Sequence, residues 1–438
     1  MKPVNGFIQA ERVLKRGVDM RLIQNLDVSN RSTVVKTTIS VPERCRRITV
    51  NKRIEASVDN FFRNRIDISF FDDTGKWYGR FDRGKDTLVI DDESEIIGTI
   101  ASGQWDVYFE VFQIFETVTI VLDFTFDYYD DYQTYTGELH THTNLTDGQL
   151  SFDELSGCLT EKGYNFFFVS DHNSAAAWDG LDSLKAIRGY RALELTTFYG
   201  HILLLGLNGY VSWYRTDGTR KEMKEIREDV RSKGGLMGIA HPYTTGGFFY
   251  PGCGWENRIE PEVLDFVEIW NSKVENYNSN WEAINHWLNL LKSDVRIFGT
   301  CGADVHRYKD LEPALQMRVL SVKNDESSII DAIRKGRFYM SRKTDLLLDA
   351  GGKVFGQTLS IKNTAEEPGK VNIVYRIDEM NEGTECFIIS KSGMIPLNES
   401  SGTVNWATEN ERDFLVLIGI GPDKQLEIIT NPIFIERE

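Results

Sequence analysis

Six of the seven histidines in this chain fall in five short motifs. They read His140-Thr141-His142, Asp171-His172-Asn173, Gly200-His201, Ala240-His241-Pro242 and Asp304-Val305-His306. Asp147 and Glu194 lie among them in similar contexts. Imidazole is the commonest side-chain ligand of zinc, iron and related ions, and carboxylates are its usual companions. A histidine set so nearly used up in this way points to a metal centre. The exception is His286. The apolar positions around it run Trp281, Ile284, Leu288 and Leu291, so a helix there leaves His286 on the solvated side.

Taken singly, the motifs are weak. A strand period of two puts His140 and His142 on one face, and likewise Asp304 and His306. Asp147-Gly148 alone reads as a turn. His201 and His241 could each be a satisfied core histidine. Asp171 and His172 end an apolar strand, and Glu194 sits inside one, so each needs a partner for its buried polar groups. The coordinated reading satisfies all of them at once.

The elements around the motifs explain how distant residues meet. Ser151-Phe152-Asp153-Glu154 is a capping box opening a helix to about Lys162, with Gly163 as its stop. The strand Asn165–Ser170 then delivers Asp171 and His172. A second helix is expected over Arg220–Lys233, followed by the strand Leu236–Ala240 and His241. The strand Val295–Thr300 leads to Asp304 and His306. Alternation of strands and helices over 135–345 predicts a parallel α/β core whose strand ends carry the polar groups. Residues 1–134 instead show alternating apolar and polar runs, as in 37–41, 66–71, 105–111 and 118–124, which predicts an antiparallel β-sandwich. Residues 346–438 return to that β pattern.

The bulk properties exclude some partners. A net charge of −16 argues against a surface that coats nucleic acid. It leaves room for a small, anionic substrate at a cationic metal site. No stretch reaches the ~20 apolar residues of a membrane helix. The opening Met1–Phe7 lacks the apolar core of a secretory signal. Five scattered cysteines, with no close pair, fit a reducing cytoplasmic setting. Cys301 lies near Asp304 in sequence but reads first as a core thiol. Oligomeric state is not encoded in any pattern here.

The order His-x-His, Asp-Gly, Asp-His, Glu, Gly-His, His-Pro, Asp-x-His resembles the PHP superfamily, named for polymerase and histidinol phosphatase domains. The strings Glu138-Leu139-His140-Thr141-His142-Thr143, Thr146-Asp147-Gly148, Glu268-Ile269-Trp270-Asn271 and Ile429-Thr430-Asn431-Pro432-Ile433 look like its CehA/McbA-type branch. That resemblance implies a distorted (β/α)7 barrel flanked by two β-sandwich-like domains, with two or three divalent ions (Mn, Fe or Zn). Carried over by motif, His140, His142, Glu194 and Asp304 would hold one ion. Glu194 would bridge to a second held by His201 and His241, and Asp147, His172 and His306 would hold a third. Asp147 stands where many relatives have histidine.

The chemistry implied is hydrolysis by a water activated between cations, with no serine or cysteine nucleophile. Glu194 and Asp304 would be its central carboxylates. Asp171 would position His172 or a neighbour. Arg307 could hold a phosphate or form a surface ion pair. Tyr199, Tyr243, Trp270 and Asn271 are candidate pocket residues, with core packing the plainer account of Trp270. A phosphoesterase leads. Hydrolysis of a carboxyl ester, carbamate or amide is the alternative, and a binding protein with a structural metal comes third.

Overall fold

The computed structural model describes residues 18–56, 64–94, 96–244, 254–255, 260–272, 277–312, 314–361 and 370–437. Met1–Phe7 and Cys253 lie outside them. The chain divides into two compact units, Met1–Tyr132 and Gln133–Glu438.

The first unit holds β1 (Met20–Leu26), β2 (Thr33–Val41), β3 (Cys45–Ala56), β4 (Arg65–Asp72), β5 (Trp77–Arg80), β6 (Thr87–Asp91), β7 (Gly103–Gln113) and β8 (Val118–Tyr128). They form two antiparallel sheets, in the orders β1-β8-β3-β6 and β2-β7-β4-β5. Strict alternation makes the core. In β2, Val35, Thr37, Ile39 and Val41 point inward while Val34, Lys36, Thr38 and Ser40 stay wet. Phe70, Trp105 and Phe109 of one sheet meet Val50, Leu122 and Phe124 of the other in a single core. Full burial of a side chain such as Phe124 contributes roughly 1.5–3 kcal/mol.

The second unit begins with β9 (Gln133–Glu138), α1 (Phe152–Glu161), β10 (Phe166–Val169), β11 (Arg188–Thr197), β12 (Gly200–Leu205), α2 (Met223–Ser232) and β13 (Leu236–Ile239). It continues through β14 (Phe266–Asn271), α3 (Tyr277–Lys292), β15 (Phe298–Gly302), β16 (Gln316–Ser321), α4 (Glu326–Arg334) and β17 (Phe338–Ser341). Strands β9 to β15 are neighbours in sequence order. Just past β9 and β15 the chain pairs with itself through a parallel bridge between Thr141 and Val305. The amide of Val305 donates to His140 (3.0 Å) and that of His142 donates to Val305 (2.9 Å). The two ends of the strand run therefore meet where the ligand motifs lie.

A regular (β/α)7 barrel is not what forms. β12 is antiparallel to both β11 and β13. Among the described residues, the links into β11 and β14 carry short 3-10 turns. The architecture is mixed α/β with one large sheet. The α1 capping box is present, Ser151 and Glu154 each bonding the other's amide. α2 starts at Met223 rather than near Arg220, because Arg220 pairs with Tyr214 and the Glu222 amide donates to Glu225 at the helix start. β10 is buried at all four residues, as a strand covered on both faces must be.

α3 corrects one expectation. Its buried stripe is Ala283, Ile284, Trp287, Leu288 and Leu291, with the Trp287 indole donating to the carbonyl of Ile297 at 2.9 Å. That wider stripe draws His286 to a half-buried position beside Tyr243, 5.9 Å between ring centres, and burial lowers its pKa.

The remaining strands are β18 (Leu346–Ala350), β19 (Thr358–Ile361), β20 (Lys370–Ile377), β21 (Glu385–Ser390), β22 (Gly393–Leu397), β23 (Ser401–Ala407), β24 (Arg412–Ile420), β25 (Leu426–Thr430) and β26 (Ile433–Arg437). The large sheet runs on from β9 through β16, β17, β25, β24, β21 and β22. The division expected at 345/346 is thus crossed by continuous strand pairing. A three-stranded sheet, β18-β20-β23, covers this extension through Ile373, Tyr375, Leu415, Leu417 and Ile428. The fully buried Asn431 fastens the two parts. Its amide oxygen accepts from the Gly299 amide (2.9 Å), and its Nδ2 donates to the carbonyls of Gly299 and Phe338.

Candidate metal centre

The nine residues singled out as metal ligands converge at one end of the strand run. His140 and His142 follow β9, His172 follows β10, and Glu194 lies in β11. His201 begins β12, His241 follows β13, and Asp304 and His306 follow β15. Asp147 comes from the loop after His142 and reaches His306 and His172, with Oδ2 at 3.1 and 3.3 Å from their Nε2 atoms.

Glu194 is the hub. Its Oε2 lies 3.2 Å from Nε2 of both His140 and His142, and 2.9 Å from Nδ1 of His172. Its Oε1 lies 2.7 Å from His201 Nδ1 and 3.1 Å from His241 Nε2. Asp304 Oδ1 stands 3.1 Å from His142 Nε2 and 3.5 Å from His140 Nε2. Four overlapping groups result, each able to hold a cation: His140/His142/Asp304, His140/Glu194/His241, His172/Glu194/His201 and His142/Asp147/His172/His306.

His140 Nε2, both ring nitrogens of His142, and Glu194 Oε2 are buried without a hydrogen-bond partner. Buried polar atoms left so are costly. Here they aim at one another across the spaces a cation would fill. Charge says the same. Burial lowers the His140 and His172 imidazoles, yet Glu194 and neighbouring carboxylates overrule it, raising His140 well above its ordinary value and His172 to about 10. Burial would raise Glu194, but the imidazoles of His140, His201 and His172 hold it well below the usual carboxylate range. The carboxylates of the cluster thus favour positive charge on or between its imidazoles. Nitrogen and carboxylate donors together suit Mn, Fe or Zn.

Residues behind the ligands fix their aim. Glu268, buried in β14, takes the N–H of His140 Nδ1 at 3.1 Å and the backbone amide of His241 at 2.8 Å. Orienting contacts of this kind set imidazole tautomer and basicity. Gly302 packs so closely that a side chain there would collide with Glu268 Oε1 and the His140 Cβ. Asn271 donates to Asp304 Oδ2 at 3.3 Å. Glu138 accepts the amides of Ala303 and His140, and burial pushes its carboxyl up to about 8. Backbone strain also gathers here. Asn173, His241 and Asp304 have φ of 49°, 26° and 49°. Such values cost non-glycine residues energy and are retained where a site demands them.

The Asp171 carboxylate supports the segment between His142 and Asp147. It accepts from the Thr143 amide and from the Thr143 and Thr146 hydroxyls, each at 2.7 Å, and so shapes the loop that carries Asp147. Arg307 pairs with Asp310 at 3.2 Å. Cys301 is a core thiol, its Sγ 3.4 Å from the Leu315 carbonyl and its pKa pushed up by burial. Trp270 packs against Trp281 in the core. Tyr199 lies under the Arg220 guanidinium, 4.3 Å from the ring centre. Tyr243 is half-buried on His286.

Two contributors escaped the sequence reading as functional residues: Glu268 as the support of His140 and His241, and Thr196, whose hydroxyl lies 2.6 Å from His172 Nδ1. Glu268 carried the same signal as Glu194, a carboxylate inside an apolar strand. A hollow of about 540 Å³ on the first unit is lined by Asp72, Asp73, Asp106 and Glu110 with Phe71 and Tyr108. It holds no imidazole, and its carboxylates disfavour an anionic substrate.

No family profile matches the sequence, and no curated protein does. Among solved structures, a two-domain protein from Bacteroides vulgatus, described as containing a predicted PHP-like metal-dependent phosphoesterase, is 13% identical. It aligns over 70% of this chain and 95% of its own, with a TM-score of 0.37. A structure from Bifidobacterium adolescentis described in similar terms, as a metal-dependent phosphoesterase, is 14% identical over 39% of this chain and 88% of its own, TM-score 0.29. A β-glucuronidase from Bacteroides uniformis is 9% identical over 97% of this chain and 62% of its own, TM-score 0.19. Overlays this loose decide nothing about activity, which rests on the chain's own residues.

Proposed function

We propose that the second unit is a PHP-like metal-dependent hydrolase of the CehA/McbA kind, acting as a phosphoesterase on a small anionic ester. One observation carries the reading: His140 Nε2, both ring nitrogens of His142 and Glu194 Oε2 are buried without a hydrogen bond and belong to groups of donor atoms close enough to share a cation. A structural site would close around one ion. This set instead offers four overlapping groups that share Glu194, His140, His142 and His172.

Divalent ions held there would supply water activation near neutral pH and positive charge against the oxygens of the ester. The chain's part is placement. Glu268 and Asn271 hold His140, the His241 backbone and Asp304 in fixed orientations. Asp171 holds the loop that bears Asp147. Strands β11 and β12 present Glu194 and His201 in register, with Thr196 opposite His201.

Net charge selects the substrate. Four buried or half-exposed carboxylates belong to the centre: Asp147, Glu194, Glu268 and Asp304. Two divalent ions only balance them, whereas three leave the site positive. A dianionic phosphate is therefore favoured over a neutral ester when the outer group, with Asp147, is filled. Purified protein incubated with Mn or Zn is expected to hold two to three equivalents per chain by elemental analysis. It should hydrolyse p-nitrophenyl phosphate faster than p-nitrophenyl acetate, after subtracting spontaneous rates, with competitive inhibition by inorganic phosphate. Less than one equivalent of metal defeats the multinuclear reading. Ester cleavage with neither phosphatase activity nor phosphate inhibition moves the assignment to carboxyl-ester or carbamate hydrolysis.

A further inference from the structure

An imidazole has two nitrogens, and the hydrogen bond made by one decides which is left to ligate. The two histidines of the outer group are set in this way by neighbours of different kinds. His306 Nδ1 lies 2.8 Å from the backbone carbonyl oxygen of Asp304. A carbonyl only accepts, so Nδ1 carries the proton and Nε2 keeps its lone pair. That Nε2 stands 3.1 Å from Asp147 Oδ2. His172 Nδ1 meets a hydroxyl instead, Thr196 Oγ1, at 2.6 Å. A hydroxyl can donate or accept, so its other partner decides.

That partner is the backbone carbonyl of Glu194, to which the Thr196 hydroxyl donates at 3.2 Å. Its one proton is used there, so Oγ1 accepts from His172 Nδ1–H. The Glu194 carboxylate agrees: Oε2 lies 2.9 Å from the same nitrogen and has no proton to give it. His172 Nε2 is left with its lone pair, 3.3 Å from Asp147 Oδ2. The backbone fixes the hydroxyl in place. The Glu194 carbonyl also accepts the Asn173 amide at 3.1 Å. The Asn173 side chain bonds both the N–H and the carbonyl of Thr196, at 3.0 and 2.9 Å. A parallel bridge joins His172 to Glu194.

This matters because two groups compete for His172: His172/Glu194/His201 and His142/Asp147/His172/His306. The nitrogen beside Glu194 is Nδ1, and an ion drawn from that side needs the electron pair that the proton occupies. We propose that Thr196 is the positioning residue that assigns His172 to the outer group, holding the proton on Nδ1 and leaving Nε2 to an ion shared with Asp147 and His306. The inference rests on the multinuclear reading above. Thr196 ligates nothing itself and acts through His172. Its counterpart at His306 is a backbone carbonyl, which no substitution removes, so Thr196 is the side chain through which the outer ion can be tuned.

The test uses full-length, zinc-loaded protein and reads binding, not turnover. In Thr196→Val, which keeps the branched shape without the hydroxyl, affinity for one equivalent of zinc should fall about 10- to 100-fold by chelator competition, with the other equivalents unchanged. Thr196→Ser should restore it. Added to Asp147→Asn, which already lacks the outer ion, Thr196→Val should cost no further equivalent. Nuclear magnetic resonance of the native protein with 15N-labelled histidine should place the His172 ring proton on Nδ1, the signal being the one that His172→Asn deletes. A proton on Nε2 overturns the proposal with no appeal to a Thr196 variant. So do native-like zinc affinity in Thr196→Val, a serine variant as weak as the valine one, or a further equivalent lost in the double variant. If native protein saturates at two equivalents, the outer group takes no ion, and the proposal falls while the inner pair stands. Less than one equivalent defeats the multinuclear reading itself.

Discussion

The inner and outer parts of the metal centre share ligands but not surroundings. The side chains of His140, His142 and Glu194 are 0%, 0% and 1% exposed, whereas Asp147, His172 and His306 are 52%, 23% and 18% exposed. The inner groups are backed by Glu268 and by an amide from Asn271. The outer group rests on a loop, held through Asp171. Burial strengthens every charge interaction inside and makes each unmet one expensive. The inner residues therefore need a cation or its equivalent to offset their burial, whereas the outer residues keep contact with solvent. The difference teaches where damage should be severe and where graded.

The largest effect should come from the hub. Glu194→Gln keeps the shape but removes a charge that faces five imidazoles. Turnover should drop by more than about a hundredfold and metal content by at least one equivalent. A variant retaining full metal and near-native turnover would break the idea that Glu194 joins two ions. Next comes Glu268→Gln, which loosens His140 and the His241 backbone without touching an ion. Metal affinity is expected to fall about 10- to 100-fold, read by competition with a chelator. Glu138→Gln is its control. With a carboxyl pushed up to about 8, Glu138 is mostly neutral at pH 7, and glutamine can still accept both amides. Equal losses in the two variants would show that buried charge at Glu268 is not what matters.

The outer group should respond more gently. Asp147→Asn should release one equivalent of metal, keep the inner two, and cut phosphatase turnover by about tenfold. Its activity on a neutral ester should fall less, because the lost ion is the one that makes the site positive. If Asp147→Asn is as damaging as Glu194→Gln on every substrate, the inner and outer groups act as one unit.

The same division governs what the sequence shows. The ligands were legible because each is a polar residue at the end of an apolar run, and only a shared partner accounts for so many at once. The sandwich strands were legible because alternation is local, as in Thr33–Val41. The positioning role of Glu268 was not legible because its partners, the His140 ring and the His241 amide, are distant in sequence, although the apolar strand around it posed the same burial problem as Glu194. The β11–β12 hairpin was hidden because its turn is Phe198-Tyr199, which carries no glycine-asparagine signal of the usual tight hairpin. The continuity of the large sheet was also out of reach. Tyr339 pairs with Thr430, and Phe387 with Ile418, at separations that no local pattern encodes. Nor does α3's stripe, seen from Trp281 and Ile284, reveal that Trp287 would find the Ile297 carbonyl.

The smallest predicted effect is a pH-dependent stability to which the outer group adds a part. In metal-free protein His172 is raised from about 6.5 to about 10, against burial, by Glu194 first and then Asp147. A group raised in the folded state stabilises it fully below the unfolded value and loses that contribution as pH rises towards the folded one. Metal-free protein should therefore lose stability between about pH 6.5 and 10. Metal binding has the opposite sign, because imidazoles must shed their protons to ligate, so affinity grows with pH. The gap in melting temperature between metal-loaded and metal-free protein should widen by a few degrees from pH 6.5 to 9. Asp147→Asn removes one of the two carboxylates that hold the His172 proton and weakens the outer ion as well. Its gap should widen less than that of the native protein, while the part owed to Glu194 remains. A widening identical in the two proteins would mean that the exposed carboxylate contributes nothing, and that the buried hub alone sets the charge of His172.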